Sequence, residues 1–99
     1  MDKIILIGAG GHARSCVDVI ELLGKYQIAG FLEEDGKKGE KNLGYPIIGT
    51  DNDLEILRSK YSHALITIGQ IKNVTKRIKL YKILRKLNYK LRPIKFNII

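Results

Sequence analysis

The sequence has 99 residues, 44% of them hydrophobic, which suits one domain with a packed core over residues 1–99 and argues against a disordered chain. One cysteine excludes an internal disulfide, and the four-residue apolar run after Lys3 is too short for a signal peptide or membrane span. We therefore expect a cytoplasmic protein with no membrane partner.

The net charge of +8 is distributed unevenly along the chain. Residues 1–55 carry six basic and ten acidic residues, whereas residues 56–99 carry twelve basic residues and no acidic ones. Such a split is one signature of nucleic-acid binding, and seven basic residues carry that alternative: Lys72, Lys76, Arg77, Lys79, Lys82, Arg85 and Lys86. They follow a helical spacing instead of forming a block, which favours a solvated helix face, so we expect nucleic-acid binding to be weak.

The first half of the chain alternates strand and helix patterns. Residues 3–7 form an unbroken aliphatic run typical of a strand buried on both faces. Residues 11–24 predict an amphipathic helix that ends at Gly24. Its inward stripe comprises Ala13, Cys16, Val17, Ile20 and Leu23. Residues 27–32 predict a second strand, and residues 36–44 predict a polar loop.

The second half repeats the alternation. Residues 46–48 predict a short strand near an edge of the sheet, because Pro46 cannot donate a backbone hydrogen bond. Thr50 and Asp53 have the spacing of a helix capping box, and the helix that follows fades near Tyr61. A buried strand over residues 64–68 precedes a basic helix over residues 71–88, and residues 91–94 suggest a last strand. The predicted inward stripe of the basic helix comprises Ile71, Val74, Ile78, Tyr81 and Leu84.

Alternating strands and helices predict a three-layer α/β fold with a parallel sheet. In a doubly wound sheet, ligands bind between the carboxyl ends of the first strand and the strand that begins the second half. Those ends here are Gly8 and the pair Gly69 and Gln70, so we expect both turns at one edge of the sheet.

The glycine-rich turn after the first strand predicts an anion site. Gly8, Gly10 and Gly11 lie between a strand and a helix in the pattern G-x-G-x-x-[G/A], completed by Ala13. Glycines let a loop present bare N–H groups, and the helix start adds about half a positive charge, so a phosphate or diphosphate fits there. A tight turn without a ligand is the alternative.

Two sets of side chains adjoin this loop. His12 lies at the helix start, either as a neutral imidazole that contacts a substrate or as a residue that only lines the rim. Glu33, Glu34 and Asp35 follow the second strand, where a carboxylate can accept hydrogen bonds from a ribose or a base. NAD binding by a sensing domain therefore remains an alternative. His12 and Cys16 are too few ligands for a metal, and Cys16 reads as a core residue.

The order of these motifs resembles the N-terminal domain of the NeuD/PglD-type sugar O- and N-acyltransferases, which include sialic acid O-acetyltransferases. The resemblance covers roughly residues 3–92. It rests on the glycine–histidine loop of residues 8–12, on residues 17–18, 30–35, 44–50 and 53–54, and on the strand over residues 64–69.

The resemblance implies a small Rossmann-like domain that binds a nucleotide sugar, of the UDP or CMP class, used in bacterial surface-glycan synthesis. Phosphate contact then falls to Gly10 and Gly11, His12 lies near the acceptor sugar, and residues 33–35 lie near the base. In that family a left-handed β-helix of hexapeptide repeats follows, forms the trimer and binds acetyl-CoA as co-substrate.

Three features depart from the pattern of the family. No tandem [LIV]-G-x₄ repeat occurs before Ile99. Family members usually have Asp where Glu33 and Glu34 stand, and commonly Asp or Asn where Gln70 stands. We therefore expect these 99 residues to bind the acceptor, to hold no cofactor of their own and to lack acetyl-transfer activity alone.

Overall fold

Five strands form one sheet in the computed structural model, which describes residues 1–8, 11–34, 38–68 and 74–91. In chain order the strands are β1 (Asp2–Ile7), β2 (Tyr26–Leu32), β3 (Lys41–Asn42), β4 (Tyr45–Gly49) and β5 (His63–Ile66). The order across the sheet is β3-β4-β2-β1-β5. β2, β1 and β5 pair in parallel, β4 pairs in parallel with β2, and β3 runs antiparallel to β4.

Three helices of the described residues cover the two faces of this sheet. They are α1 (Gly11–Leu23), α2 (Leu54–Leu57), which follows a 3₁₀ turn over Asp51–Asp53, and α3 (Val74–Lys86). Successive side chains of a strand point to opposite faces. Ile4 and Leu6 accordingly pack in one core with α1, and Ile5 and Ile7 pack in a second core with α2 and α3. The expected three-layer α/β arrangement is confirmed.

Local signals in the sequence set the ends of two helical segments. Gly24 follows α1 with a φ of +65°, a conformation that favours glycine, and its amide donates to the Ile20 carbonyl at 3.2 Å. The Thr50 amide donates to the Asp53 carboxylate at 2.9 Å, and the Thr50 hydroxyl accepts from Asn52. This capping box is the one predicted from the spacing of Thr50 and Asp53.

The inward stripe predicted for the basic helix is wrong at three described positions. Val74, Ile78 and Tyr81 are exposed, whereas Leu80 and Leu84 are buried against the sheet, with Ile83 and Leu87 packed beside them. Both sets have helical spacing. The set that packs on the sheet has four aliphatic side chains. The exposed set has three members, and one of them, Tyr81, carries a polar hydroxyl. Packing on the sheet therefore favours the first set. Ile71 lies outside the described residues.

Two smaller predictions also need correction. Leu23, the last residue of α1, is exposed although its spacing placed it on the inward stripe. The loop predicted over residues 36–44 contains β3, because Lys41 and Asn42 pair with the start of β4. Lys90 forms a single parallel bridge with His63 at the outer edge of β5. Most of the last strand predicted over residues 91–94 lies outside the described residues.

Candidate functional site

A small cleft of about 30 Å³ lies where the parallel strands end. Its described lining comes from the carboxyl ends of β1, β2, β4 and β5 and from the start of α3: Ile7, Gly8, Leu32, Glu33, Glu34, Asp51, Ile68 and Lys76. Strands of a parallel sheet all end at the same edge, and this edge is where such folds bind ligands. The cleft therefore has the location that the strand order predicted.

Backbone hydrogen bonds hold the two sides of the cleft together around β1. The Gly8 amide donates to the Leu32 carbonyl at 2.9 Å, and the Thr67 amide donates to the Ile7 carbonyl at 2.9 Å. The buried Thr67 hydroxyl also donates to the Gly8 carbonyl. The ends of β1, β2 and β5 are thus adjacent, as predicted, although Gly69 and Gln70 themselves lie outside the described residues.

Gly8 is required at the end of β1 for two reasons. Its φ is +110°, which side-chain-bearing residues rarely adopt. A Cβ on Gly8 would stand 2.6 Å from Ile68 Cγ1 and 3.2 Å from the Ile68 amide nitrogen. The glycine therefore lets the chain leave β1 in close contact with the segment that follows β5.

The start of α1 adjoins this turn. Gly11 is the first residue of the helix, and His12 is half-buried in its first turn. The backbone N–H groups of a first helical turn lack partners within the helix and carry a partial positive charge. Gly8 lines the cleft, whereas His12 is not among its described lining residues; Gly11 begins α1, and Gly10 lies outside the described residues.

The acidic strand end forms the opposite rim of the cleft. Glu33 is tied to the sheet because its amide donates to the Gly49 carbonyl at 3.0 Å. The Glu34 carboxylate accepts a hydrogen bond from the Lys76 ammonium, which reaches across from α3. This hydrogen bond, together with the charge of Lys76, lowers the pKa of Glu34. Glu33 and Glu34 thus line the cleft, and Asp35 lies outside the described residues.

Lys76 lies among three carboxylates. The hydrogen bond that Lys76 donates to Glu34 raises the pKa of Lys76 most, partial burial lowers it, and the charges of Glu34, Asp51 and Glu33 raise it further. Lys76 is therefore an ammonium group at neutral pH. Of the described side chains that line the cleft, three are acidic and only Lys76 is basic.

Sequence reasoning missed several residues that shape the cleft. Asp51 directly follows the edge of β4, and a carboxylate just after a parallel strand is a signal that the sequence offered. Thr67 and Arg77 hydrogen-bond to residues that line the cleft. The Thr67 hydroxyl donates to the Gly8 carbonyl, and the Arg77 guanidinium donates to the Ile68 carbonyl at 2.9 Å. Lys76 and Arg77 were grouped with the basic helix face, because no sequence pattern shows which side chains of that helix turn toward the sheet edge.

Cys16 and His63 do not line the cleft. Burial raises the pKa of the Cys16 thiol to about 11, so the thiol stays protonated and packs as a core side chain, as predicted. His63, for which the sequence suggested no chemical neighbour, is buried at the start of β5. Its Nε2 lies 3.4 Å from the Asp2 carboxylate, and its ring contacts Tyr26.

The described part of the chain offers neither a membrane span nor a metal cluster. No helix there is both long and apolar enough to cross a membrane. Within the same residues, no three His, Cys, Asp or Glu side chains are grouped so that they could hold a metal ion.

Solved structures of acetyltransferases are similar to this chain. Perosamine N-acetyltransferase from Caulobacter crescentus, solved with CoA and GDP-perosamine, is 27% identical with a TM-score of 0.79. The match covers 92% of this chain and 41% of that enzyme. The acetyltransferase domain of PglB from Neisseria gonorrhoeae, solved with acetyl coenzyme A, is 30% identical with a TM-score of 0.73, over 89% of this chain and 40% of that one.

The fold extends beyond acetyltransferases. UDP-D-quinovosamine 4-dehydrogenase from Vibrio fischeri is 20% identical with a TM-score of 0.67, over 91% of this chain and 75% of that one, a likeness that concerns the fold alone. Among curated protein sequences none matches significantly. Residues 3–84 match the family of the PglD N-terminal domain, which is most of the chain. This chain, with its glycine turn and acidic strand end at one sheet edge, belongs to the PglD N-terminal domain family.

Proposed function

We propose that this chain is the nucleotide-sugar-binding domain of a bacterial sugar N- or O-acetyltransferase that acts in surface-glycan or sialic acid biosynthesis. The observation that carries this proposal is the cleft itself. The carboxyl ends of four parallel strands, Gly8 and an acidic rim line it, and α1 begins three residues after Gly8. A nucleotide sugar has an anionic diphosphate and hydrogen-bond donors on its ribose and base, which match these two kinds of surface.

In this proposal the diphosphate lies against the glycine turn. Gly8, Gly10 and Gly11 let the backbone approach the phosphate oxygens, and the N–H groups of the first turn of α1 donate to them. His12 lies beside them in that first turn and contacts the acceptor sugar. Its imidazole is then a hydrogen-bonding group for a hydroxyl or an amine.

The acidic rim takes the other end of the ligand. Glu33, Glu34 and Asp35 accept hydrogen bonds from the ribose or the base, and Gly69 and Gln70 complete the opposite wall. Carboxylates only accept hydrogen bonds when ionised, so they favour a base that presents N–H donors. We propose a sugar nucleotide of the UDP or CMP class as the ligand. The GDP class is a third candidate, because the similar Caulobacter enzyme was solved with GDP-perosamine.

We assign the functions of such an enzyme to its parts from the share of its length that this chain matches. This chain spans about two-fifths of the Caulobacter and Neisseria proteins that it matches. We therefore assign acceptor binding to residues 1–99, and acetyl-CoA binding, catalysis and trimer formation to the remainder of such an enzyme. A cytoplasmic location fits the free thiol of Cys16.

The test is isothermal titration calorimetry of the chain with GDP, UDP, CMP and NADH. We expect one of the first three to bind and NADH to bind more weakly. Gly11→Val should weaken that binding by about tenfold or more, because a branched side chain keeps the phosphate from the backbone amides. His12→Ala should weaken it less, because its role lies at the acceptor group. An acetyl-CoA turnover assay with the chain alone should show no transfer.

Ser15→Val is the matched control, since Ser15 is exposed on the same helix one turn further on. It should leave nucleotide binding unchanged. Undiminished binding by Gly11→Val contradicts the phosphate assignment, and preferential binding of NADH contradicts the nucleotide-sugar assignment. Acetyl transfer by these 99 residues would contradict the assignment of catalysis to the remainder of the enzyme.

A further inference from the structure

Lys76 is the one described basic side chain in a cleft that is otherwise acidic. Glu33, Glu34 and Asp51 line the same cleft and place three negative charges beside the glycine turn. A diphosphate that approaches this turn meets their repulsion. The N-terminus of a helix offers only about half a positive charge in compensation. The cleft therefore needs a full positive charge to hold an anionic ligand at this position.

The backbone of Lys76 is held at the rim of the cleft by two kinds of contact. Leu80 and Leu84, on the next turns of α3, are buried against the sheet. Arg77, the adjacent residue, donates to the Ile68 carbonyl at 2.9 Å and so ties the first turn of α3 to the end of β5. The position from which the Lys76 side chain projects is thus fixed, and a lysine side chain has a flexible four-carbon stem.

The partner of Lys76 in the structure is easily exchanged. The side chains of Lys76 and Glu34 are 35% and 61% exposed, and an ion pair with this much solvent contact stabilises a structure little. A diphosphate offers more negative charge and more acceptor oxygens than one carboxylate. An ammonium group bordering the same cleft as Gly8 therefore gains by moving from Glu34 to a phosphate oxygen.

We propose that Lys76 is a phosphate-binding residue of this cleft, held by Glu34 until a nucleoside diphosphate arrives. This inference rests on the proposed function and names a residue that the glycine-loop pattern does not contain. When the Lys76 ammonium moves to the phosphate, it releases the Glu34 carboxylate. That carboxylate then accepts hydrogen bonds from the ribose or the base. Phosphate binding and recognition of the nucleoside are coupled through this exchange.

The experiment compares ligands with and without phosphates. The chain and its variants are titrated by calorimetry with GDP and guanosine, and in parallel with UDP and uridine. Lys76→Met should weaken diphosphate binding by about tenfold, the loss of one charge-assisted hydrogen bond, and change nucleoside binding by less than about twofold. Lys76→Arg keeps the charge and should retain most of the diphosphate affinity.

Lys82→Met is the control, because Lys82 is exposed further along the same helix and does not line the cleft. It should change neither affinity, and urea unfolding of each variant shows that all of them are folded. Wild-type affinity of Lys76→Met for the diphosphate overturns the inference and leaves the proposed function standing. Equal weakening of nucleoside and diphosphate assigns Lys76 a structural role and also overturns it. A wild-type chain that binds none of the four ligands contradicts the proposed function, and this inference falls with it.

Discussion

Two glycines that each follow the last residue of a strand or helix are required for different reasons. Gly8 ends β1 and Gly24 ends α1, and both have positive φ, at +110° and +65° respectively. Nothing lies within 4 Å of a Cβ on Gly24, whereas a Cβ on Gly8 would stand 2.6 Å from Ile68 Cγ1. Gly24 is therefore needed only for its backbone conformation, while Gly8 is also needed for the contact between the ends of β1 and β5.

This difference predicts unequal effects on stability. Gly24→Ala should lower the free energy of unfolding by about 1 kcal/mol, the cost of a left-handed conformation for alanine. Gly8→Ala should lower it by about 3 kcal/mol, because its φ lies further from the left-handed helical region and its Cβ meets Ile68. Urea unfolding followed by circular dichroism measures both, and equal losses would contradict the packing role of Gly8.

Some residues of the candidate site were named from the sequence, and others were identified only in the structure. Gly8, Glu33 and Glu34, which line the cleft, were named from their positions after β1 and β2, whereas the ligand contacts proposed for Gly11 and His12 at the start of α1 stay predictions. Asp51 and Lys76 were not assigned to the site, although both line the cleft. Their contribution depends on how β4 and α3 are placed against β1 and β2, which is a tertiary relation that no local pattern encodes.

At the scale of single elements, α3 has two apolar stripes that its sequence alone does not rank. One runs through Val74, Ile78 and Tyr81, and the other through Leu80 and Leu84 with Ile83 and Leu87 beside them. The second packs against Ile5, Ile7 and Ala64 of the sheet. A helix that has apolar residues at both spacings turns toward the sheet the face that buries more aliphatic surface.

The two stripes predict opposite results for two similar substitutions. Leu80→Ala should lower the free energy of unfolding by about 3 kcal/mol, because it leaves a cavity in the core between α3 and the sheet. Ile78→Ala should change it by no more than about 0.5 kcal/mol, because Ile78 is exposed. Chemical denaturation of the two variants decides between the stripes, and a larger loss for Ile78→Ala would contradict this orientation of α3.

At the scale of the whole molecule, the charge is divided between two regions of the fold. Acidic residues line the cleft at the carboxyl ends of the strands, and Lys79, Lys82, Arg85 and Lys86 lie exposed on α3. Lys76 is the point where the two regions meet, through its ion pair with Glu34. The other exposed lysines and arginines of α3 form a solvated surface.

This surface should bind nucleic acid only weakly and without sequence preference. At about 150 mM salt we expect dissociation constants on the order of 10⁻⁴–10⁻⁶ M for both duplex and single-stranded oligonucleotides, falling in affinity as salt rises. A double variant with Lys82→Glu and Lys86→Glu should weaken this binding further and leave GDP and UDP binding unchanged. Fluorescence anisotropy measures the first effect and calorimetry the second; sequence-selective nanomolar binding would contradict the solvated-face interpretation.

Local sequence patterns suffice to predict the alternation of strands and helices, the α/β class and the position of the glycine turn after β1. These features depend on hydrophobic periodicity and on glycine and capping residues, all of which act within a few positions along the chain. Thr50 with Asp53 and Gly24 are clear cases, since their contacts span only three or four residues.

Packing between distant segments sets which face of α3 is buried, pairs Lys41 and Asn42 as an edge strand, and brings Asp51 and Lys76 to the cleft. Each of these depends on contacts between segments far apart in the chain, such as the 42 residues that separate Glu34 from Lys76. A side chain at such a position gains or loses free energy according to what the opposing segment presents, and that is defined only once the sheet has assembled.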